Sequence, residues 1–159
     1  MGKFVAALTA SVVALAMPFA ARAQSFSPVG ATVSGDGQMW ISQSMATTCN
    51  FGFIGSVSSS TLHISSRSMS PGGDFNCVFM TPQGIWSAAT VPGDATKIDI
   101  TLGFNTITNE PCYGTVRGDW DNAGKILTIN GAYLWPINAG DQPCHIRTMD
   151  IFIADLNLS

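Results

Sequence analysis

Apolar and polar residues alternate along most of the chain after its first two dozen residues. In KIDITLGF (97–104) every second residue is apolar, and TVRGDW (115–120) repeats the pattern with Trp120 on the apolar face. A period of two is that of a β-strand with one buried and one solvated face. Trp120 is therefore expected in the core. Shorter versions of the alternation recur at 49–53, 62–64, 127–129 and 149–153.

Turn-forming clusters separate these segments. They read SGDG, VSSST, SPGGD, VPGDAT, DNAG and NAGDQP. Short strands divided by frequent turns are typical of antiparallel architectures. We predict an all-β domain of about eight strands, with a β-sandwich preferred and a closed β-barrel as the alternative. An outer-membrane barrel, the main structural rival, has alternating strands of about ten residues, a lipid-facing apolar band and usually an aromatic last residue. The closing LNLS and the four cysteines speak against it, so the mature chain is not expected to be transmembrane.

The first residues have the pattern of an export signal. Lys3 is followed by an apolar stretch at 4–20, and the small residues of ARA (21–23) form the motif that signal peptidase reads. We predict a signal peptide at 1–23 and one domain at 24–159. The protein is accordingly expected to be exported, to the periplasm, the outer surface or the medium.

The mature chain is weakly charged and acidic. Charged residues make up 11% of the sequence, well below the roughly 25% of a typical soluble domain. After residue 23 there remain five basic and ten acidic side chains. This balance argues against nucleic acid as a partner. Serine, threonine, asparagine and glycine must supply much of the solvated surface.

The four cysteines of the exported part predict two disulfides. They are Cys49, Cys77, Cys112 and Cys144. A zinc site would need closely spaced pairs, and these cysteines are far apart in the chain. An even number of cysteines in an exported domain is typical of a disulfide framework, for which three pairings exist.

An internal duplication favours one of the three pairings. When Cys49 is aligned with Cys112, Gly55 aligns with Gly118. Downstream, LHI (62–64) matches LTI (127–129), and Gly-Asp-x-x-Cys closes both copies, at Cys77 and at Cys144. The Gly-Asp pair suits a tight turn, with a positive φ at glycine and a hydrogen bond accepted by the aspartate side chain. If each copy closes its own bond, the pairs are Cys49–Cys77 and Cys112–Cys144.

The sequence contains no recognisable catalytic constellation. His63 and His145 have no second histidine at ligand spacing, and no G-x-S-x-G motif occurs. Asp119 and Asp121 lie in a stretch that a hairpin turn explains as well as a calcium loop does. We predict no catalytic residue, metal or cofactor. Trp86 and Trp135 flank turn residues, and we consider them candidates for contact with apolar ligands.

Several segments resemble a known bacterial family. They are SFSPVGA (25–31), TTCNFGFIGSV (47–57), CVFMTPQGIWSAAT (77–90) and PCYGTVRGDWDNAGKILTING (111–131). Together with the four-cysteine layout they resemble the activators of alkane oxidation, the PraB-like proteins, over about residues 25–155. The shared residues are mainly glycines, cysteines and Trp120, which determine a fold.

The resemblance implies a small secreted protein that promotes bacterial use of long-chain alkanes without oxidising them. Its expected partners are a hydrophobic substrate or cell-surface components. The family brings no catalytic residues to transfer. A structural or adhesive surface protein, such as a filament or matrix subunit capable of self-association, is the alternative, because exposed sheet edges favour pairing between chains.

Overall fold

The computed structural model describes residues 23–159, so the predicted signal peptide lies outside the described residues except for Ala23. Most of this part is β-strand, as the alternation predicts. One 3-10 turn occurs, at Phe75–Phe79. The strands are β1 (Phe26–Ser27), β2 (Thr32–Ser42), β3 (Ala46–Val57), β4 (Thr61–Pro71), β5 (Thr81–Pro82), β6 (Trp86–Val91), β7 (Asp94–Asn105), β8 (Pro111–Asp121), β9 (Ile126–Pro136), β10 (Cys144–Phe152) and β11 (Asn157–Leu158).

Eight of these strands form a closed antiparallel barrel. In chain order they are β2, β3, β4, β6, β7, β8, β9 and β10. Each strand pairs with the next in this order, and β10 pairs with β2. The short β5 pairs with β7 alongside β6. The all-β prediction of about eight strands is confirmed. Of the two proposed architectures the structure is the barrel, because the pairing of β10 with β2 joins the ends of what would otherwise be an open sheet.

The core is the interior of the barrel. In β7 the apolar positions of KIDITLGF all point inward, and the corresponding positions of the other strands join them in one cluster. Trp120 is buried, as predicted. In an eight-stranded barrel the interior is just wide enough for side chains to fill it. Its largest fully buried members are Trp86, Phe104, Met39, Ile41, Leu62, Ile98, Leu102, Leu127, Ile129, Leu134 and Ile146.

The chain termini close one end of the barrel, which we call the terminal end. There β1 and β11 form a two-stranded ribbon, and Phe26, Leu156 and Leu158 are buried beneath it. Asn122 fixes the ribbon to the wall. Its side chain accepts hydrogen bonds from the Trp120 indole N–H at 2.7 Å and from the Leu158 backbone N–H at 2.9 Å. Both buried donors are thereby satisfied.

The internal duplication corresponds to two hairpins with a common geometry. The first copy forms β3–β4 and the second forms β8–β9. Gly55 and Gly118 each lie where the register of their hairpin shifts. A Cβ on Gly55 would lie 2.6 Å from the carbonyl oxygen of His63, and one on Gly118 would lie 2.9 Å from that of Thr128. Both positions require glycine for the same reason, a close approach of the facing strand.

The Gly-Asp turns agree with the sequence interpretation in one copy and only partly in the other. Gly73 and Gly140 both have positive φ, at 111° and 97°. Asp74 accepts a hydrogen bond from the Asn76 backbone N–H at 2.9 Å, which is the predicted aspartate turn. Asp141 instead accepts from the side chain of Asn138 at 3.0 Å. The longer second loop gives its aspartate a different partner.

Candidate functional site: the disulfide end of the barrel

The end of the barrel opposite the terminal ribbon holds both disulfides, and we call it the disulfide end. Cys49 bonds to Cys77, and Cys112 bonds to Cys144. Both predicted pairings are confirmed. Each bond joins the beginning of a repeated hairpin to the segment that follows it. The long connections after β4 and after β9 are therefore tied to the barrel wall rather than free to move as open loops.

Gln43 links three of the connections at this end. It lies in the turn between β2 and β3, and its side-chain N–H group donates to the carbonyl oxygen of Gln142 at 2.6 Å. Its side-chain oxygen accepts hydrogen bonds from the hydroxyls of Thr106 and Thr108 in the loop after β7. One glutamine thus connects the turn to the loops after β7 and β9. This network covers the mouth of the barrel.

The space at the mouth is too small for a hydrocarbon chain. A shallow pocket of about 10 Å³ lies beside Gln43, between Ile41, Met80 and Ile107. A volume of this size holds about one water molecule. The interior below is occupied by the apolar core described above. Any contact with a large apolar ligand at this end must therefore involve the outer surface.

Large apolar side chains are exposed on the outer surface of this end. Phe75 is 73% exposed and Trp135 is 70% exposed. The Phe75 and Phe79 rings meet edge to face with centroids 6.0 Å apart, so the 3-10 turn presents a pair of rings to solvent. We call the whole set the apolar end surface: Met45, Phe75, Val78, Phe79, Ile85, Trp135 and Ile137.

Charged residues are concentrated away from the apolar end surface. Within residues 23–159, the connections of the disulfide end contain Asp74, Glu110 and Asp141 as their ionisable residues. The strands and turns toward the terminal end contain most of the others: Asp36, Asp94, Lys97, Asp99, Arg117, Asp119, Asp121, Lys125, Asp150 and Asp155. The disulfide end accordingly has more of the large exposed apolar side chains, and the terminal end has more of the charged ones.

Comparison with protein families identifies the chain. The model of the alkane oxidation protein activator family, described as PraA/PraB-like, matches residues 1–153. The chain belongs to this family. Neither the curated proteins nor the solved structures that were compared give a significant match.

Trp86 of this PraA/PraB-like protein is not a surface residue. It was predicted as a candidate for apolar contact because turn residues precede it, but it is only 1% exposed. Its ring packs edge-on against Phe51 and Phe104, with centroids 6.4 and 5.2 Å away. Its indole N–H donates to the carbonyl oxygens of Gln83 and Gly103, each at 3.1 Å. The alternation of β6 turns Trp86 inward, where it anchors the core.

Trp135 lies on the outer surface of the barrel, where a residue that contacts an apolar ligand must lie. It lies near the end of β9 and faces Tyr113 of β8 in the register of the sheet. Its side chain is exposed, as contact with an external ligand requires, whereas the side chain of Trp86 is buried. Phe75 and Phe79, which were not among the predicted contact residues, are exposed as well. Their signal was available in the apolar residues of DFNCVFM, within a segment otherwise rich in turn residues.

The remaining candidate positions have structural partners. Asp119 forms an ion pair with Lys97 of β7, and Asp121 accepts a hydrogen bond from the Ala123 backbone N–H at 2.9 Å, within the turn that joins β8 to β9. This stretch is therefore a hairpin turn, as one of the two sequence interpretations had it. In residues 23–159 no three His, Cys, Asp or Glu side chains are grouped as metal ligands. No helix in the same range has the length and apolar character needed to cross a bilayer.

Proposed function

We propose that this activator-family protein is exported and acts without catalysis, by promoting contact between the cell and long-chain alkanes through its disulfide end. The observation that carries the proposal is the asymmetry of the surface. Exposed rings and aliphatic side chains gather at one end, and the charged side chains lie mostly toward the other. Large exposed apolar patches mark sites that meet other apolar surfaces.

The energy available from such contact is appreciable. Fully burying a phenylalanine or methionine side chain contributes about 1.5–3 kcal/mol. Phe75, Phe79 and Trp135 each have more than half of their surface in water. Three such side chains entering hydrocarbon together would contribute on the order of 4 kcal/mol, which is sufficient for reversible adsorption.

The contact is proposed to be external because, among residues 23–159, core side chains fill the interior of the barrel. A carrier for long alkanes would need a lumen, as larger ligand-binding barrels have. Here the core side chains occupy the interior and the pocket at the mouth is about 10 Å³. The protein is thus suited to adsorb to a hydrocarbon surface and unsuited to enclose a single alkane molecule.

The disulfides support this role by holding the exposed rings in place. Cys77, in the 3-10 turn that bears Phe75 and Phe79, is bonded to Cys49 of β3. Without such a cross-link, apolar side chains on a long loop would tend to fold back onto the barrel, away from water. A tied loop keeps them presented at little entropic cost on contact.

Adsorption to hexadecane droplets tests the proposal. Purified mature protein is mixed with a hexadecane emulsion, the droplets are removed, and the protein left in the water is measured. The double variant F75S/F79S should remain in the water to a greater extent than the wild type. The matched control is V29S/I126S, which replaces two exposed apolar side chains away from the disulfide end.

The control variant should adsorb as the wild type does. Equal adsorption of all three proteins would show that the apolar end surface is not the contact site. Circular dichroism of each variant establishes that it is folded before the comparison is made.

A structural or adhesive role is the second candidate, and one edge of the sheet favours it. Beyond Ile64, β4 pairs only with β3 in the part of the chain that the structure describes. An unpaired strand edge of this kind can accept a strand from another chain. Analytical ultracentrifugation separates the two candidates. A sedimenting polymer supports the structural role, and a monomer that adsorbs to hexadecane supports the contact role.

A further inference from the structure

A second exposed aromatic surface lies on the outer wall of the barrel, across β9, β10 and β2. We call it the wall patch and define it by Trp40, Tyr133, His145 and Arg147. Trp40 is 43% exposed and Tyr133 is about half exposed. Unlike the apolar end surface, this patch pairs each aromatic ring with a nitrogen-bearing side chain.

Tyr133 and His145 form a stacked pair. They are direct neighbours in the register of β9 and β10. Their rings are 4.4 Å apart at the centroids and tilted by only 9°. One face of the tyrosine ring is therefore covered by the imidazole, and the remaining face and edge are the part that water reaches. The stack holds the ring in one orientation.

A bulge in β10 positions the second pair. The register between β10 and β2 shifts between Ile146 and Thr148, so that Arg147 and Thr148 both face outward. The extra outward residue brings the Arg147 guanidinium over Trp40, with its carbon 5.0 Å from the ring centroid. Bulges commonly redirect a side chain in this way at functional positions. The ring and the cation are held together by this contact.

Arg147 has no carboxylate partner among residues 23–159. The two ion pairs in this range, Lys97–Asp119 and Arg117–Asp99, lie on the wall formed by β7 and β8. A guanidinium carries five N–H donors in a planar fork that matches a carboxylate. In a mature chain with twice as many acidic as basic residues, an arginine left without an acidic partner is available to an external anion.

We propose that the wall patch binds an acidic polysaccharide, a chain of pyranose rings that carry carboxylates. The exposed faces of Trp40 and Tyr133 would stack on the apolar C–H faces of sugar rings, and Arg147 would hold a carboxylate between them. Trp40 and Tyr133 lie two strands apart and two residues apart along the strands, so roughly 12 Å separates them. His145 and Arg147 of the strand between them each cover one ring face, so the free faces point away from each other and a chain of several sugar rings is needed to reach both.

The surroundings of the patch favour a sugar over hydrocarbon. Thr48 of β3 faces Trp40, and Ser42 of β2 faces His145. These hydroxyls can donate to and accept from sugar hydroxyls, whereas an alkane would leave them and the guanidinium desolvated without a partner. Because the rings are already braced, binding does not have to order them, which favours affinity.

Affinity electrophoresis tests the assignment. Native gels cast with alginate, a polyuronate, are compared with gels cast with pullulan, a neutral polymer of pyranose rings. The wild type should be retarded by alginate and not by pullulan. R147Q and W40S should each weaken the alginate interaction about tenfold, the scale of one charge-assisted hydrogen bond for Arg147 and of one stacked ring for Trp40.

Two variants on other parts of the wall serve as controls. R117Q removes the same charge from the neighbouring wall formed by β7 and β8, where Arg117 pairs with Asp99. F152S removes an aromatic ring that is 44% exposed, matching Trp40, at the far end of β10. Both controls should bind alginate as the wild type does.

Three results would overturn the proposal: no retardation by alginate, equal retardation by both polymers, or equal loss of retardation in R117Q and R147Q. The hexadecane assay remains independent, since R147Q and W40S leave the apolar end surface unchanged and should adsorb normally.

Discussion

Replacing Gly37 with alanine should destabilise the closure of the barrel. Gly37 lies in β2, at the seam where β2 pairs with β10. A Cβ at this position would lie 2.0 Å from the carbonyl oxygen of Asp150 and 2.9 Å from the tip of the Phe51 ring. Ordinary contact begins near 3.4 Å, so the facing backbone would have to move by more than an ångström.

The loss of stability depends on which atoms must move to make room for the added Cβ. Overpacking a closely packed site costs about 1–3 kcal/mol. The nearest atom belongs to the backbone of β10, so relief requires that strand to move and its neighbouring ladder bonds to break. Two such bonds contribute about 0.5–1.5 kcal/mol each. We therefore expect Gly37→Ala to lower the free energy of unfolding by about 3–5 kcal/mol.

Urea unfolding of the oxidised mature protein, followed by tryptophan fluorescence, measures the change. The matched control is Gly52→Ala in the adjacent strand β3. A Cβ there would meet only the Ser68 hydroxyl at 3.3 Å and the Gly35 carbonyl oxygen at 3.8 Å. The control should change stability by less than about 1 kcal/mol.

A Gly37→Ala protein as stable as the control would refute the reasoning. It would mean that β2 and β10 do not approach as closely as the closed barrel requires. An equal loss of stability in both variants would also refute it, because replacing glycine with alanine restricts the unfolded chain and by itself favours the folded state.

The other predictions concern the disulfides, the tryptophans and one carboxylate. Peptide mapping without reduction should recover the two observed cysteine pairs, and Cys112→Ser should lower the free energy of unfolding by about 2–5 kcal/mol; a variant of unchanged stability would contradict this. Trp86→Ala should cost about 3–5 kcal/mol in urea unfolding and leave adsorption of the folded fraction to hexadecane unchanged, whereas Trp135→Ser should change stability by about 0.5 kcal/mol or less and weaken adsorption. Hydrogen bonds from the Thr96 hydroxyl and backbone N–H lower the pKa of Asp94 below its ordinary value of 3.8; the associated stabilisation is present above that value and is lost as the pH falls through the folded pKa. Thr96→Val should raise the pKa of Asp94 in a carbon NMR titration, and an unchanged titration would show that the hydroxyl is not the main cause.

The parts of the fold that depend on local pattern could be predicted from the sequence. The alternation of residues 97–104 identified both the strand and its buried face, since the side chains of a strand point to opposite sides in turn. The duplication identified the disulfide pairs, because two copies of one hairpin close in the same way. Both inferences use residues that are near in sequence or related by repetition.

Closure of the barrel could not be inferred in the same way. It depends on β2 meeting β10, and the contact between Gly37 and Asp150 joins residues more than a hundred positions apart. No periodicity within either strand distinguishes a partner in the same closed sheet from one in a facing sheet. The prediction of a sandwich was therefore made without knowing that β2 and β10 pair.

The candidate site was predictable only in part. Of the two tryptophans proposed as contact candidates, Trp135 is exposed, but proximity to a turn was a poor guide for Trp86, whose indole donates to two carbonyl oxygens inside the barrel. Trp40 could have been recognised as outward-facing, since it is out of phase with Met39 and Ile41 in QMWIS. The phase of a residue within its strand is a better indicator of exposure than its distance from a turn.

Growth of a deletion strain supplied with purified protein tests the central claim most directly. Cells lacking this protein are grown on hexadecane or on succinate, with the wild-type mature protein, with F75S/F79S or with V29S/I126S in the medium. We predict that the wild type and V29S/I126S speed growth on hexadecane and not on succinate, and that F75S/F79S does neither. Full rescue by folded F75S/F79S, or an equal benefit on both carbon sources, would contradict the claim that the protein promotes alkane use through contact at its apolar end.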